Sequence, residues 1–177
     1  MVSLDIEIWH TLSCPPFSLP LLPNLVSLTW REDNETFLYV WLFATPKLTT
    51  LDMSRLGTST FGPLEQSMLS CISMLCPSVS HFRFHFFGGD TSTALQSWSH
   101  LKSVKTRKFS EAAILHLSNL PSLRVLKFKL PSIPISANTQ KLLQCSVFCA
   151  IEDLSVECEG RLAPLDAFSR SSPLLQK

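Results

Sequence analysis

A short motif recurs along this chain and constrains its fold more than any other feature. The motif is a turn with Pro or polar residues followed by apolar-x-x-apolar-x-apolar, as in LPSLRVLKF at residues 120–128. Alternation of apolar and polar residues is typical of a strand with one buried face. The first apolar anchors are separated by 23, 31, 22, 22 and 28 residues. These anchors are Leu25, Leu48, Val79, Leu101, Leu123 and Ile151.

The segments between the strand motifs favour helices. SEAAILHLSNL, from Ser110, has an N-cap residue, an acid in its first turn and apolar residues on one helical face. PLEQSMLSCISMLCP, from Pro63, begins with a proline suited to a first helical turn and stops at the next proline. ETFLYVWLFATP, SANTQKLLQCSVF and PLDAFSR take the same place in their own units. Each unit is therefore expected to run strand, loop, helix, loop.

A unit of this size cannot bury both its strand and its helix alone, so the units must stack in order. We predict an α/β fold in which about six strands form a curved parallel sheet on the concave side of a solenoid, with helices outside. The two longer steps carry turn-rich insertions, RLGTSTFGP and KLPSIPISAN, that are expected to form loops. Residues 1–20 are expected to be a lead-in or cap, and residues 21–177 the repeat domain. The predicted strand centres are Leu28, Leu51, Phe82, Val104, Leu126 and Leu154.

The cores LP-x-L-x-x-L-x-F and CP-x-V-x-x-F-x-F, with FSEAAILHLSNLPSL between two units, resemble the leucine-rich repeats of fungal, basidiomycete-type F-box proteins. The resemblance covers about residues 20–177. It implies a substrate-recognition arm of the F-box subunit of a ubiquitin ligase. The F-box itself, which would contact the ligase adaptor, is absent, and the last repeat, at SSPLLQK, is incomplete. We therefore expect a piece of a longer receptor or a shortened gene product.

Composition excludes several other classes of protein. Of 177 residues, 45% are hydrophobic and 16% are charged, which permits a sizeable core in one domain. The formal net charge of +1 gives no overall attraction to nucleic acid or membranes. The acidic start MVSLDIEIW does not resemble a signal peptide, and the longest apolar run, FLYVWLFA, is much shorter than the roughly 20 residues of a membrane span. We expect a cytoplasmic or nuclear protein with no membrane partner.

No arrangement of residues indicates catalysis or metal binding. The chain has no phosphate loop, no G-x-S-x-G and no H-E-x-x-H. Its six cysteines form no C-x-x-C pair, so we expect reduced, mostly buried thiols. His81 and His85 lie four residues apart in HFRFHF, which in a strand is about 13 Å, too far to share one metal. We predict no catalytic residue, no cofactor and no metal.

Polar positions between the apolar anchors are expected to point out of the sheet, where solenoids usually hold partners. The basic residues at these positions fall on three neighbouring strands, and three of them form a row roughly 10 Å long. We call the five cations Arg83, Lys105, Arg107, Lys127 and Lys129 the basic ladder. The predicted partner-binding residues on the concave face are Arg83, Lys105, Arg107, Lys127, Lys129, His81 and His85.

Like charges opposite one another destabilise a sheet mildly, so their clustering favours a ligand that relieves the repulsion. The main hypothesis is a protein-binding module whose basic ladder takes an acidic or phosphorylated partner. A solvated face that binds nothing is one alternative, and a truncated product with only a scaffold role is another. A nucleic-acid surface is disfavoured because no exposed aromatic residues accompany the ladder. An enzyme is disfavoured because no acid, base and nucleophile are paired.

Overall fold

A computed structural model describes residues 20–31, 37, 39–53, 62–85, 90–107, 110–130, 136, 141, 148 and 150–158. Within these residues, the recurring motif forms six strands of one sheet, and all neighbouring pairs are parallel. The strands follow one another across the sheet in chain order, as the sequence predicted. Their bounds are β1 Ser27–Trp30, β2 Thr50–Met53, β3 His81–Phe84, β4 Ser103–Lys105, β5 Val125–Leu130 and β6 Asp153–Cys158.

The register of the sheet places the predicted strand centres side by side. Each centre pairs with the centre of the next strand, so six apolar residues form one continuous row across the sheet. The four inner members of the row are almost completely buried. Since side chains alternate between the two faces of a strand, this row fixes which residues face the core. The row is Leu28, Leu51, Phe82, Val104, Leu126 and Leu154.

One backbone contact repeats at the start of each strand after the first. Two successive backbone N–H groups donate to the same carbonyl of the preceding unit; for example, Arg124 and Val125 both donate to the carbonyl of Lys102. The carbonyls that accept these pairs lie one residue after each of the first five apolar anchors, so they recur at the same spacings. They belong to Val26, Thr49, Ser80, Lys102 and Arg124.

Helices alternate with the strands in the middle of the chain. They are α1 Pro63–Leu75, α2 Ser92–Ser97 and α3 Glu111–Ser118, and a 3-10 turn spans Val40–Phe43. Both helices that the sequence predicted in detail begin as expected: Pro63 is the first residue of α1, and the Ser110 hydroxyl accepts from the Ala113 amide at 3.4 Å in α3. None of the helices in the described part of the chain has the length and apolar character to cross a membrane.

Two elements differ from the sequence prediction. In the predicted helix ETFLYVWLFATP, Phe37 is α-helical but Val40–Phe43 form a 3-10 turn, and both Phe37 and Val40 are buried. The short helix α2 lies where the unit pattern places a helix, but its sequence STALQS was not among the segments expected to be helical. Asp90 accepts hydrogen bonds from the Ser92 amide and hydroxyl just before this helix, which supports its first turn.

The helices and the apolar face of the sheet share one hydrophobic core. Trp98, which follows α2, is completely buried and packs 4.8 Å from Phe82, measured between ring centroids. Its indole N–H donates to the carbonyl of Cys76 at 2.9 Å, so the ring has both an apolar contact and a polar partner. This residue therefore links the unit of β3 to the unit of β4.

The two cysteines whose side chains are described, Cys71 and Cys76, are free thiols, as predicted for them. Cys76 is completely buried, and this burial raises the pKa of its thiol to about 11, while a hydrogen bond with the backbone of Thr45 lowers it by a smaller amount. Cys71 is only partly buried.

Several sequence predictions fall outside the described residues. They include nearly all of the N-terminal lead-in, the helix at PLDAFSR, the incomplete last repeat and most of both insertions. Most of the segment SANTQKLLQCSVF also lies there.

We expect Leu126→Asp to lower the free energy of unfolding by about 4 kcal/mol or more, because it places an unpaired charge in the buried row. Leu126 is 1% exposed and lies between Val104 and Leu154. Ser103→Asp is the control, since Ser103 is partly exposed and faces His81 and Val125. Urea unfolding followed by circular dichroism measures both. Equal losses in the two variants would contradict the observed register.

Alkylation should discriminate between the two described thiols. At about pH 8, a thiol with a pKa of about 11 has on the order of 100-fold less thiolate than an ordinary one. A short pulse of iodoacetamide, read by peptide mass spectrometry, should therefore modify Cys71 well before Cys76. In denaturant the two rates should become similar. Rapid labelling of Cys76 in the folded protein would contradict the burial of its side chain.

Candidate functional site

Three members of the basic ladder form a row on the exposed face of the sheet. Arg83 pairs with Lys105, and Lys105 pairs with Lys127, across β3, β4 and β5. Adjacent strands lie about 4.8 Å apart, so the backbones of the outer two cations are about 10 Å from each other. The register thus brings together the three cations that the sequence placed in one row.

Carboxylates accompany both ends of this row. Asp52, directly opposite Arg83 on β2, lies 3.6 Å from its guanidinium group. Asp153, on β6, lies 2.7 Å from the ammonium of Lys127, to which it is diagonal because its own partner is Val125. The arginine and the lysine are 47% and 39% exposed, so each pair contributes only about 0–1 kcal/mol to stability. These pairs offset part of the repulsion expected from the sequence.

Lys105 lies between these two ion pairs. It is partly buried, and no carboxylate in the described part of the chain forms an ion pair with it. Its nearest strand neighbours are both cations. Lys105 is therefore the point at which the repulsion within the ladder is least compensated.

A pocket of about 320 Å³ lies over the ends of β3, β4 and β5. All five members of the basic ladder line it, together with one of the two predicted histidines. We call it the ladder pocket. Its lining residues are Arg83, His85, Lys105, Thr106, Arg107, Lys127, Phe128, Lys129 and Ser155.

Backbone pairing beyond the end of β4 positions Arg107 and Lys129. The Thr106 amide donates to the carbonyl of Lys127 at 2.9 Å, and the Lys129 amide donates to the carbonyl of Arg107 at 3.1 Å. These two contacts hold Arg107 beside Lys129. The Thr106 side chain is buried, and its hydroxyl is 3.3 Å from that of Thr91, so a tertiary contact anchors this end of the pocket.

The two predicted histidines have different positions. His81 begins β3, is exposed, and has its Nδ1 atom 3.0 Å from the Ser80 hydroxyl; it does not line the ladder pocket. His85 follows β3 and does line the pocket, and its amide donates to the carbonyl of Met53 at 3.1 Å. Among the described residues, no group of three side chains is arranged to hold a metal ion.

The charge of this arrangement is suited to attracting an anion. Five cationic side chains line one pocket, and Asp52 and Asp153 form ion pairs with two of them. Asp52 and Asp153 occupy polar positions of the repeated motif, where the sequence predicts exposed side chains, but the sequence alone did not pair them with cations. The available signal for Asp52 was its position opposite Arg83, whereas the diagonal contact of Asp153 depends on how the Lys127 side chain bends.

Comparison of the chain with protein-family models, with curated proteins and with solved structures finds no match. The site is therefore interpreted from its own geometry, and the family resemblance drawn from the repeats stays a prediction.

Removing the charge of Lys105 should stabilise the fold. We expect Lys105→Gln to raise the free energy of unfolding by about 0.2–1 kcal/mol, because two like-charged neighbours flank this residue. Lys102→Gln is the control, since Lys102 is exposed and precedes the strand. Thermal unfolding at low salt and at about 1 M NaCl measures both, and the difference should shrink at high salt. A loss of stability specific to Lys105→Gln would contradict a repulsive ladder.

Proposed function

We propose that this chain is a leucine-rich repeat module that binds an acidic or phosphorylated segment of another protein. We further propose that it is the substrate-recognition arm of an F-box subunit of a ubiquitin ligase, acting in the cytoplasm or nucleus. The single observation that carries the binding proposal is the ladder pocket, where five cations converge on one face of the sheet.

The solenoid part of the proposal rests on repetition in three dimensions. Equivalent residues of all six units align in one apolar row. Equivalent carbonyls accept paired backbone N–H groups at the same spacing as the sequence motif. Stacked repeats are expected to contact mainly their neighbours in this way. The F-box assignment is supported by the sequence resemblance alone.

The charge of the site supports an anionic partner. Five cations line this one pocket in a protein whose formal net charge is only +1, so they are concentrated rather than spread over the surface. Arg83 and Arg107 can each grip a carboxylate or phosphate with two parallel hydrogen bonds, and Lys105 supplies a point charge between them. A bound anion would also relieve the repulsion within the ladder.

Nucleic acid is a weaker candidate partner. Single strands are usually held by aromatic rings on which bases stack, in addition to cations. Among the described lining residues, the one benzene ring belongs to Phe128, which is 5% exposed and belongs to the core. The described lining residues therefore present no exposed benzene ring on which bases could stack.

The binding proposal predicts that a labelled acidic phosphopeptide binds with an affinity that falls as salt rises, because partly exposed pairs are screened over about 8 Å at physiological ionic strength. The double variant Arg83→Gln with Arg107→Gln should weaken binding about tenfold or more, since two bidentate contacts are lost. Fluorescence anisotropy across a salt series measures this loss.

The matched control is Arg31→Gln with Arg124→Gln. It removes the same charge outside the pocket, and Arg124, like Arg83, forms an ion pair with a carboxylate. This control is preferred to a variant of Lys108, which lies outside the described residues. Equal losses in the two double variants would mean that net charge alone matters. No binding at any salt concentration would leave the ladder as a solvated face.

The ligase part has a separate test. Sequencing of the transcript should find an in-frame F-box upstream of Met1. A stop codon directly upstream would remove the ligase role and leave the binding proposal intact.

A further inference from the structure

Two lysines of the ladder pocket lie on one face of the same strand. Lys127 and Lys129 both belong to β5, and both line the pocket. Because each residue of a strand advances the chain by about 3.3 Å, their backbones are about 7 Å apart. The distance between these two backbone positions is therefore set by the strand itself.

Each of these lysines has a cation beside it on the β4 side. Lys105 is the register partner of Lys127. Arg107 lies beside Lys129, because the Lys129 amide donates to the carbonyl of Arg107 at 3.1 Å. We call Lys105 with Lys127 the lower pair and Arg107 with Lys129 the upper pair. The pocket thus offers two pairs of cations in succession along the strands.

These cations can take a further acceptor while they keep the contacts that they have. The ammonium of Lys127 lies 2.7 Å from Asp153, and Arg107 and Lys129 also take part in other interactions within the chain. A lysine has three N–H donors and an arginine has five, so a single acceptor does not exhaust either of them. What matters for a ligand is thus where the donors lie, rather than the net charge of the pocket.

An extended protein segment that runs along the strands has the same spacing. Side chains on one face of such a segment recur every second residue, about 7 Å apart. Acids at positions i and i+2 would therefore meet the lower pair and the upper pair in turn, whereas acids at i and i+1 face opposite ways. Across the strands, the cations follow one another at about 4.8 Å, which an extended segment does not match.

Acids on the outer strands favour a position over β4 and β5. Strand β6 carries Asp153 and Glu157, and Glu157 is the register partner of Lys129. On the other side, Asp52 of β2 forms an ion pair with β3, and the residue that lines the pocket after β3 is His85 rather than a lysine or arginine. An acidic segment shifted to either side would approach carboxylates of its own sign, which repel it.

We propose that the ladder pocket binds an extended segment of a partner protein that runs along β4 and β5 and carries acids at positions i and i+2. One acid lies between Lys105 and Lys127, and the other lies between Arg107 and Lys129. This inference rests on the proposed function and specifies the arrangement of acids that the pocket recognises.

Three labelled peptides of the same composition test the proposal on the folded chain. Each has blocked termini and two glutamates among uncharged β-branched residues, with the glutamates at i and i+1, at i and i+2, or at i and i+3. All three have the same net charge, and only the second has both acids on one face. It should bind about threefold more tightly than either of the others in fluorescence anisotropy at low ionic strength.

Single substitutions assign this preference to the two pairs. In Lys105→Gln and in Lys129→Gln, one acid loses one of its two cations, so the preference for the i, i+2 peptide should fall towards equal affinity. Lys102→Gln is the matched control, because Lys102 is exposed and does not line the pocket, and its preference should stay about threefold. The peptide comparison on the unaltered protein needs no variant, so it stands even if a substitution disturbs the fold.

Equal affinity for the three peptides, or tighter binding of the i, i+1 or i, i+3 peptide, would overturn this inference. The proposed function would survive that result if the acidic phosphopeptide still bound. Failure of all three peptides and of the phosphopeptide would overturn both. A single-stranded oligonucleotide that displaces the i, i+2 peptide at equal concentration would also overturn the inference, because the spacing of carboxylates would then not decide what binds.

Discussion

Alignment of one apolar residue per strand is the constraint on which the rest of the structure depends. Strands of three to six residues are not stable alone. Each of β2 to β5 forms hydrogen bonds with the strand on either side, and β1 and β6 each pair with one neighbour. The row from Leu28 to Leu154 makes only one register compatible with burial, since a shift of one residue would turn the row to the exposed face. At the start of each strand after the first, two N–H groups that donate to a single carbonyl hold the strand in the same register.

The same register governs the charges on the other face. When Phe82, Val104 and Leu126 are aligned, the residues that follow them are aligned as well, so Arg83, Lys105 and Lys127 cannot move apart without exposing the core. Their repulsion is therefore a consequence of the fold and must be offset locally. The ion pairs to the flanking strands do this for the outer two cations, whereas no ion pair in the described part of the chain does it for the central one.

The features that follow from periodicity could be predicted from the sequence. The strand centres, the parallel order and the shared row of three cations all derive from a repeat of two along each strand and a recurring motif along the chain. Features that depend on where the end of a long side chain lies could not be predicted. The diagonal contact of Asp153 with Lys127 crosses the register of the two strands. Helix α2 was missed because a single hydrogen-bonding aspartate, rather than apolar spacing, supports its start.

Because of the paired backbone contact, the way in which two units join does not depend on the length of either unit. Successive units differ in length by as much as nine residues, from 22 to 31, yet the contact that joins them stays the same. Insertions and deletions in the connecting segments can therefore accumulate during evolution without moving any strand relative to its neighbour. The exposed face of the sheet can keep its arrangement of charges while the segments between strands change in length.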